Sequence, residues 1–290
     1  MLYGAIEAGG TKFILGIGDE HGNLLERESI STRDPGETIK EVVDYFTHFP
    51  IAALGLGCFG PLELHEESPR YGFITTTPKK QWVFFDILGT LKRQMGIPIA
   101  INTDVGAAAL GETTFGTFRT HQTLLYLTIG TGIGGGYVIN GRIHNGMLHP
   151  EIGHIQMNRH PEDRHISICR YHDHCFEGLA SGPAIESRTG LPGAQIPDDH
   201  PVFPLIAGYV AQAVSTCILV LSPTKIVLGG GVMKRRFLFP LIRQKTVAHL
   251  NGYLETEILQ HMDTYIVPPS LGSYSGIMGC LEMARKAALK

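Results

Sequence analysis

Two stretches of this sequence place a glycine turn with a threonine between two runs of strand-forming residues. The longer is Leu124-Leu-Tyr-Leu-Thr-Ile-Gly-Thr-Gly-Ile-Gly-Gly-Gly-Tyr-Val-Ile-Asn140, and the shorter has Ala8-Gly9-Gly10-Thr11 between Gly4–Glu7 and Lys12–Ile17. Consecutive glycines expose N–H groups that can converge on an anion, and a hydroxyl such as that of Thr128 or Thr131 adds a donor. Gly130-x-Gly132-x-x-Gly135 also fits a dinucleotide fingerprint, but that fingerprint must open a helix, and here strand formers follow.

Two further groups could act on a substrate or hold a metal. Asp104 stands where a strand, Ile97–Ile101, gives way to an alanine-rich helical stretch, Val105–Glu112. A carboxylate there serves either as a general base or as a plain helix N-cap. Cys169, His172 and Cys175, spaced C-x-x-H-x-x-C, join the upstream His154 to give two sulfur and two imidazole donors, a full tetrahedral Zn²⁺ shell. His160, His165 and His174 lie near enough to substitute. A closed four-ligand shell leaves no open position, so such a metal would be structural.

The positioning elements can be read in order. A third strand, Leu24–Ile30, precedes a helix with Asp34 as N-cap, Pro35 at its first position and Glu37 three residues after the cap. Ala52–Gly57 is a strand ending in the loop Cys58-Phe-Gly-Pro61, and Ile87–Met95 a second helix. His149–Cys175 is the least regular part. Phe176–Thr189 and Phe203–Leu221 read as helices, the latter apolar on most faces. Lys225–Leu228 is a strand ending in Gly229-Gly-Gly231, with a helix after it. Tyr265–Val267 is the last strand and Gly276–Lys290 a closing helix. The two halves repeat one plan, strand, Gly/Thr turn, strand, then alternating strands and helices.

Composition narrows the class. At 290 residues the chain can form two cored domains, 1–115 completed by 276–290, and 116–275 with a metal-binding segment at 149–178. Its net charge of −3 gives no electrostatic case for nucleic acid or an anionic membrane. Lys234-Arg235-Arg236 reads as a solvated helix face. No apolar run is expected to reach transmembrane length, and no basic-then-apolar leader precedes the first strand, so the expected address is cytoplasmic. Five scattered cysteines do not form a disulfide framework.

Glu7-Ala-Gly-Gly-Thr-Lys12, Thr128-Ile-Gly-Thr-Gly-Ile-Gly134, Glu151-Ile-Gly-His154, Cys169–Cys175 and Leu228-Gly-Gly-Gly-Val232 follow the order seen in the ROK sugar kinases, which this sequence resembles over nearly its whole length. The run from Cys169 to Pro183 looks most like the bacterial fructokinase branch. The resemblance implies an α/β fold of two ribonuclease-H-like (actin-like ATPase) domains around a central cleft, with the C-terminal helix packing on the first. It implies ATP-dependent phosphorylation of D-fructose, with mannose, glucose or an N-acetylated amino sugar as alternatives. It makes Asp104 the catalytic base and Glu151 a sugar ligand, with Asn102, Thr103, Gly60 and Pro61 as further sugar contacts. Gly9, Gly10, Thr11, Lys12, Thr131, Gly132, Pro183, Gly229, Gly230, Gly231, Val232 and Met233 would take the nucleotide. Mg²⁺ would accompany ATP, Zn²⁺ would sit on His154, Cys169, His172 and Cys175, and a homodimer is expected.

Three residues depart from the family pattern. Glu7 stands where many relatives have aspartate, and could position Mg²⁺ or phosphate. Thr103-Asp104 replaces Asn-Asp, which fits a fructose-type site better than a glucose one. Gly106 replaces a common asparagine. Sugar-sensing regulators of the same family form a different class. They carry a helix-turn-helix module ahead of a first strand that here begins by residue 3 or so.

Overall fold

A computed structural model describes residues 1–289. Its strands are β1 (Leu2–Ala8), β2 (Lys12–Asp19), β3 (Leu24–Ser31), β4 (Ile51–Cys58), β5 (Ile99–Thr103), β6 (Thr123–Ile129), β7 (Ile133–Ile139), β8 (Arg142–Ile143), β9 (Lys225–Gly229) and β10 (Ile266–Val267). Its helices are α1 (Pro35–Phe46), α2 (Ile87–Met95), α3 (Asp104–Thr114), α4 (Phe176–Ala180), α5 (Gly182–Thr189), α6 (Val202–Leu221), α7 (Leu238–Leu250), α8 (Glu257–Gln260), α9 (Met262–Tyr265) and α10 (Ser275–Ala287). The closing helix expected to reach Lys290 ends at Ala287, and Lys290 itself lies outside the described residues.

Two five-stranded sheets form, ordered β3-β2-β1-β4-β5 and β10-β9-β6-β7-β8. Reversing the second and subtracting five from each number gives the first, so the duplication read from the sequence is a duplication of topology. In the first sheet β1 pairs antiparallel with β2 and parallel with β4, and β4 pairs parallel with β5. In the second, β6 pairs parallel with β9, and β9 with β10.

The chain folds into two compact units, one of Met1–Gln122, Gly136–Pro150 and Ser270–Lys290 and another of Thr123–Gly135 and Glu151–Pro269. The segment Gly136–Pro150, assigned by sequence to the second domain, belongs with the first. The cause is a close approach: a Cβ on Gly136 would stand 2.2 Å from the carbonyl oxygen of Val105 in α3. The first unit buries Ile6, Leu15, Leu54 and Leu56 against Ile39, Val42, Phe46 and Trp82, and α10 packs on α3 and β4. Asp34 caps α1 by accepting the Glu37 N–H at 3.1 Å.

In the second unit α6 packs against α4, α5 and α7. Contrary to expectation, this helix is long and apolar enough to cross a membrane by length and composition alone. Burial of Phe203, Ile206, Tyr209, Val210 and Val214 accounts for that apolarity as a core helix, although Leu219 and Val220 are exposed. The single helix expected over Phe176–Thr189 is two, broken at Ser181 (φ −69°, ψ 165°), because Pro183 cannot donate the N–H that would continue it. Arg235 is not part of a solvated face. It donates to the carbonyls of Gly193 and Ile196, pairs with Asp198 and stacks over Phe203.

Candidate functional site

In the first unit, the candidate residues gather at the carboxyl ends of three parallel strands, where open α/β sheets place their ligands. Register aligns Ala8 of β1 with Cys58 of β4, and Cys58 with Thr103 of β5. The turn Gly9–Lys12, the loop Cys58–Pro61 and the triplet Asn102-Thr103-Asp104 therefore leave the sheet side by side.

The alternative that Asp104 is a helix N-cap does not hold. Thr103 is the N-cap of α3, its Oγ1 accepting the Gly106 N–H at 3.0 Å. Asp104 is the first helical residue, and its carboxylate accepts the adjacent Val105 N–H at 2.9 Å. Desolvation raises its pKa above the ordinary aspartate value, against the lowering effect of the Val105 N–H. The same cap engages the oxygen of Thr103, while Oδ1 of Asn102 accepts the Thr103 N–H at 2.8 Å, and both side chains are buried.

Glu7 is pushed up to about 7, first by burial, then by the negative charge of Asp104, with Arg27 and Lys12 opposing. Its carboxylate lies at the start of α10, where the backbone of Ile277 hydrogen-bonds it and a Cβ on Gly276 would stand 2.5 Å away. Glutamate in place of the common aspartate thus reaches a helix N-terminus, which favours negative charge.

In the second unit, the carboxyl ends of β6 and β9 lie adjacent, with Thr128 opposite Gly229. The turn after β6 is held by Gly130 N–H to Gly132 O (2.9 Å) and Gly182 N–H to Gly130 O (2.7 Å). This brings Thr131, Gly132 and Pro183 together. Gly230 (φ +89°) follows β9 so closely that a Cβ would meet the Ile129 backbone at 2.4 Å, which puts Gly229–Gly231 against the same turn. Val232 is half-buried beside them, but Met233 is buried in the core, which leaves its side chain no surface to offer a nucleotide.

The second unit also assembles the metal-type cluster. One donor atom each from His154, Cys169, His172 and Cys175 lies within 4.8 Å of every other. Cys169 Sγ is 3.8 Å from His154 Nδ1 and 3.7 Å from His172 Nδ1. A sulfur and a nitrogen on one tetrahedral Zn²⁺ stand about 3.5 Å apart, given bond lengths of about 2.3 and 2.0 Å. The donor set and its spacing therefore fit such an ion. His174 stays outside the set, its carbonyl accepting from Met157 N–H. Just upstream, Asp163 takes hydrogen bonds from Arg188 and from the Tyr209 hydroxyl at 2.6 Å; these bonds hold its carboxyl below the ordinary range despite burial and tie the segment to α5 and α6. Glu151 opens the short turn Ile152–His154, its carbonyl accepting the His154 N–H.

Sequence reasoning missed three residues. Glu177 accepts the Ile133 N–H at 2.8 Å and braces the second glycine turn. Lys79 brings its side chain beside Gly10, where a Cβ would meet Lys79 Cε at 3.4 Å. His149 packs against Gly60. Only His149 had a signal, its place two residues before Glu151.

A profile of the ROK family matches residues 3–287. The chain is 51% identical over 290 residues to a fructokinase from Pediococcus pentosaceus, covering 100% of this chain and 99% of that protein. It is 44% identical over 256 residues to a fructokinase from Lactococcus lactis subsp. cremoris, covering 88% and 87% respectively. Among solved structures, it is similar to a ROK hexokinase from Thermus thermophilus, with a TM-score of 0.79, 25% identity and 98% of each chain covered.

Proposed function

We propose, from the premise that the chain belongs to the ROK family, that it transfers the γ-phosphate of ATP to the 6-hydroxyl of D-fructose. What carries this reading is the end-to-end similarity, at 51% identity, to the fructokinase from Pediococcus pentosaceus. Asp104 is the base that takes the proton of the attacking hydroxyl. Its support is a half-buried carboxylate whose pKa is raised, with the capping of α3 left to Thr103.

Glu151, Asn102, Gly60 and Pro61 hold the sugar. The glycine turns 9–11 and 130–132, with Pro183 and Gly229–Gly231, take the phosphates through backbone N–H groups. Mg²⁺ accompanying ATP would supply charge neutralisation, with Glu7 as the carboxylate that would position it or the phosphates. His154, Cys169, His172 and Cys175 would hold Zn²⁺ as a closed staple for the loop that follows Glu151. A cytoplasmic address agrees with ATP as substrate and with five free cysteines among the described residues. The homodimer is checked by light scattering.

The test is an ADP-release assay across fructose, mannose, glucose and N-acetylmannosamine, with and without Mg²⁺. The highest kcat/KM should fall on fructose and vanish without Mg²⁺. A higher value for another sugar overturns the substrate, and no ADP release from any of the four overturns the kinase.

A further inference from the structure

His149 is 5% exposed, and its ring joins two segments on which the sugar reading depends. Its Nε2 accepts the Leu62 N–H at 3.0 Å. The ring also hydrogen-bonds the backbone of Pro150. Proline has no N–H, so that bond runs from Nδ1–H to the Pro150 carbonyl. One nitrogen accepts and the other donates, which fixes a single neutral tautomer. Burial pushes the imidazole pKa down to about 4, so the ring is neutral at pH 7.

The loop on the other side of the ring is pinned at each flank. Phe59 N–H donates to Ala8 O at 2.8 Å, and the Pro61 carbonyl accepts from the N–H and hydroxyl of Thr75 at 2.8 and 3.0 Å. Between those anchors, Gly60 rests on the imidazole: a Cβ there would meet His149 Cε1 at 3.2 Å and Nε2 at 3.4 Å. The next residue along the chain from Pro150 is Glu151.

We propose that His149 is a positioning residue for the hexose. Its ring sets the height of the Gly60–Pro61 turn and the direction of the chain entering Glu151, and so orients each of these sugar-contacting segments without touching the sugar. The inference rests on the sugar roles of Gly60, Pro61 and Glu151 given above.

The test compares His149→Leu, which keeps bulk but loses both hydrogen bonds, with His149→Gln, whose amide can accept from Leu62 and donate to Pro150. Metal content and thermal midpoint are read alongside to confirm folding. For His149→Leu the fructose KM should rise about tenfold or more, as expected when a buried N–H loses its acceptor, with the ATP KM within about twofold of wild type. His149→Gln should restore most of the fructose KM. Gly60→Ala, which keeps every hydrogen bond but presses a methyl onto the ring, should raise the fructose KM alone, and it decides the matter if His149→Leu does not fold. An unchanged fructose KM in folded variants overturns the inference. So does a parallel loss of kcat and both KM values that glutamine does not rescue, which is the signature of a structural histidine. A wild-type enzyme that phosphorylates no hexose would instead overturn the reading beneath it, and the inference with it.

Discussion

Gly106 lies under Asn102 so closely that a Cβ on it would stand 2.6 Å from the Asn102 Oδ1 and 2.9 Å from the Thr103 Oγ1. Any side chain at position 106 would crowd the Thr103 hydroxyl that caps α3 and the side-chain amide oxygen of Asn102. Gly106→Ala should therefore push Asn102 out of place. Alanine's better helix propensity would offset about 1 kcal/mol, against a packing cost of about 1–3 kcal/mol. The expected result is a lowered thermal midpoint and a raised fructose KM, measured by calorimetry and the ADP-release assay. A midpoint at or above wild type would show that the neighbours yield freely.

Asp104→Asn keeps the shape and the Val105 N–H contact but loses the base. Turnover should fall by about 10²–10⁴, while fructose and an ATP analogue still bind within a few fold of wild type by calorimetric titration. Retained turnover would remove Asp104 from the proton transfer.

Glu7 gives the protein a pH signature. Its carboxyl has a pKa of about 7 folded against 4.5 as the ordinary value, so the folded chain holds the proton more tightly. The associated stability is present below about pH 4.5 and is lost as the pH rises through about 7. Glu7→Gln removes that dependence. Its unfolding free energy should be flatter than wild type between pH 5 and 7.5, and higher at pH 8 by an amount on the order of 2 kcal/mol, by denaturant titration without nucleotide. Identical pH curves for the two proteins would refute it.

Cys169 faces both imidazoles of the cluster. Cys169→Ala should reduce zinc from one per chain to near none by elemental analysis, lower the thermal midpoint and weaken fructose binding. Zinc retained at one per chain would mean the metal sits elsewhere.

The sequence alone determined the strand-turn-strand openings, the capped start of α1 and the C-x-x-H-x-x-C spacing of Cys169, His172 and Cys175. Each depends on neighbours in the chain, through backbone conformation, capping or short ligand spacing. Tertiary structure alone decided the rest. That Gly136–Pro150 packs with the first unit and that His149 packs against Gly60 are contacts between residues whose sequence separation says nothing of their distance, and the choice of Thr103 over Asp104 as the cap of α3, though local, follows from where β5 ends. The side chains involved are ordinary in type, and only the packed interior, where a few tenths of an ångström separate contact from clash, gives them their roles.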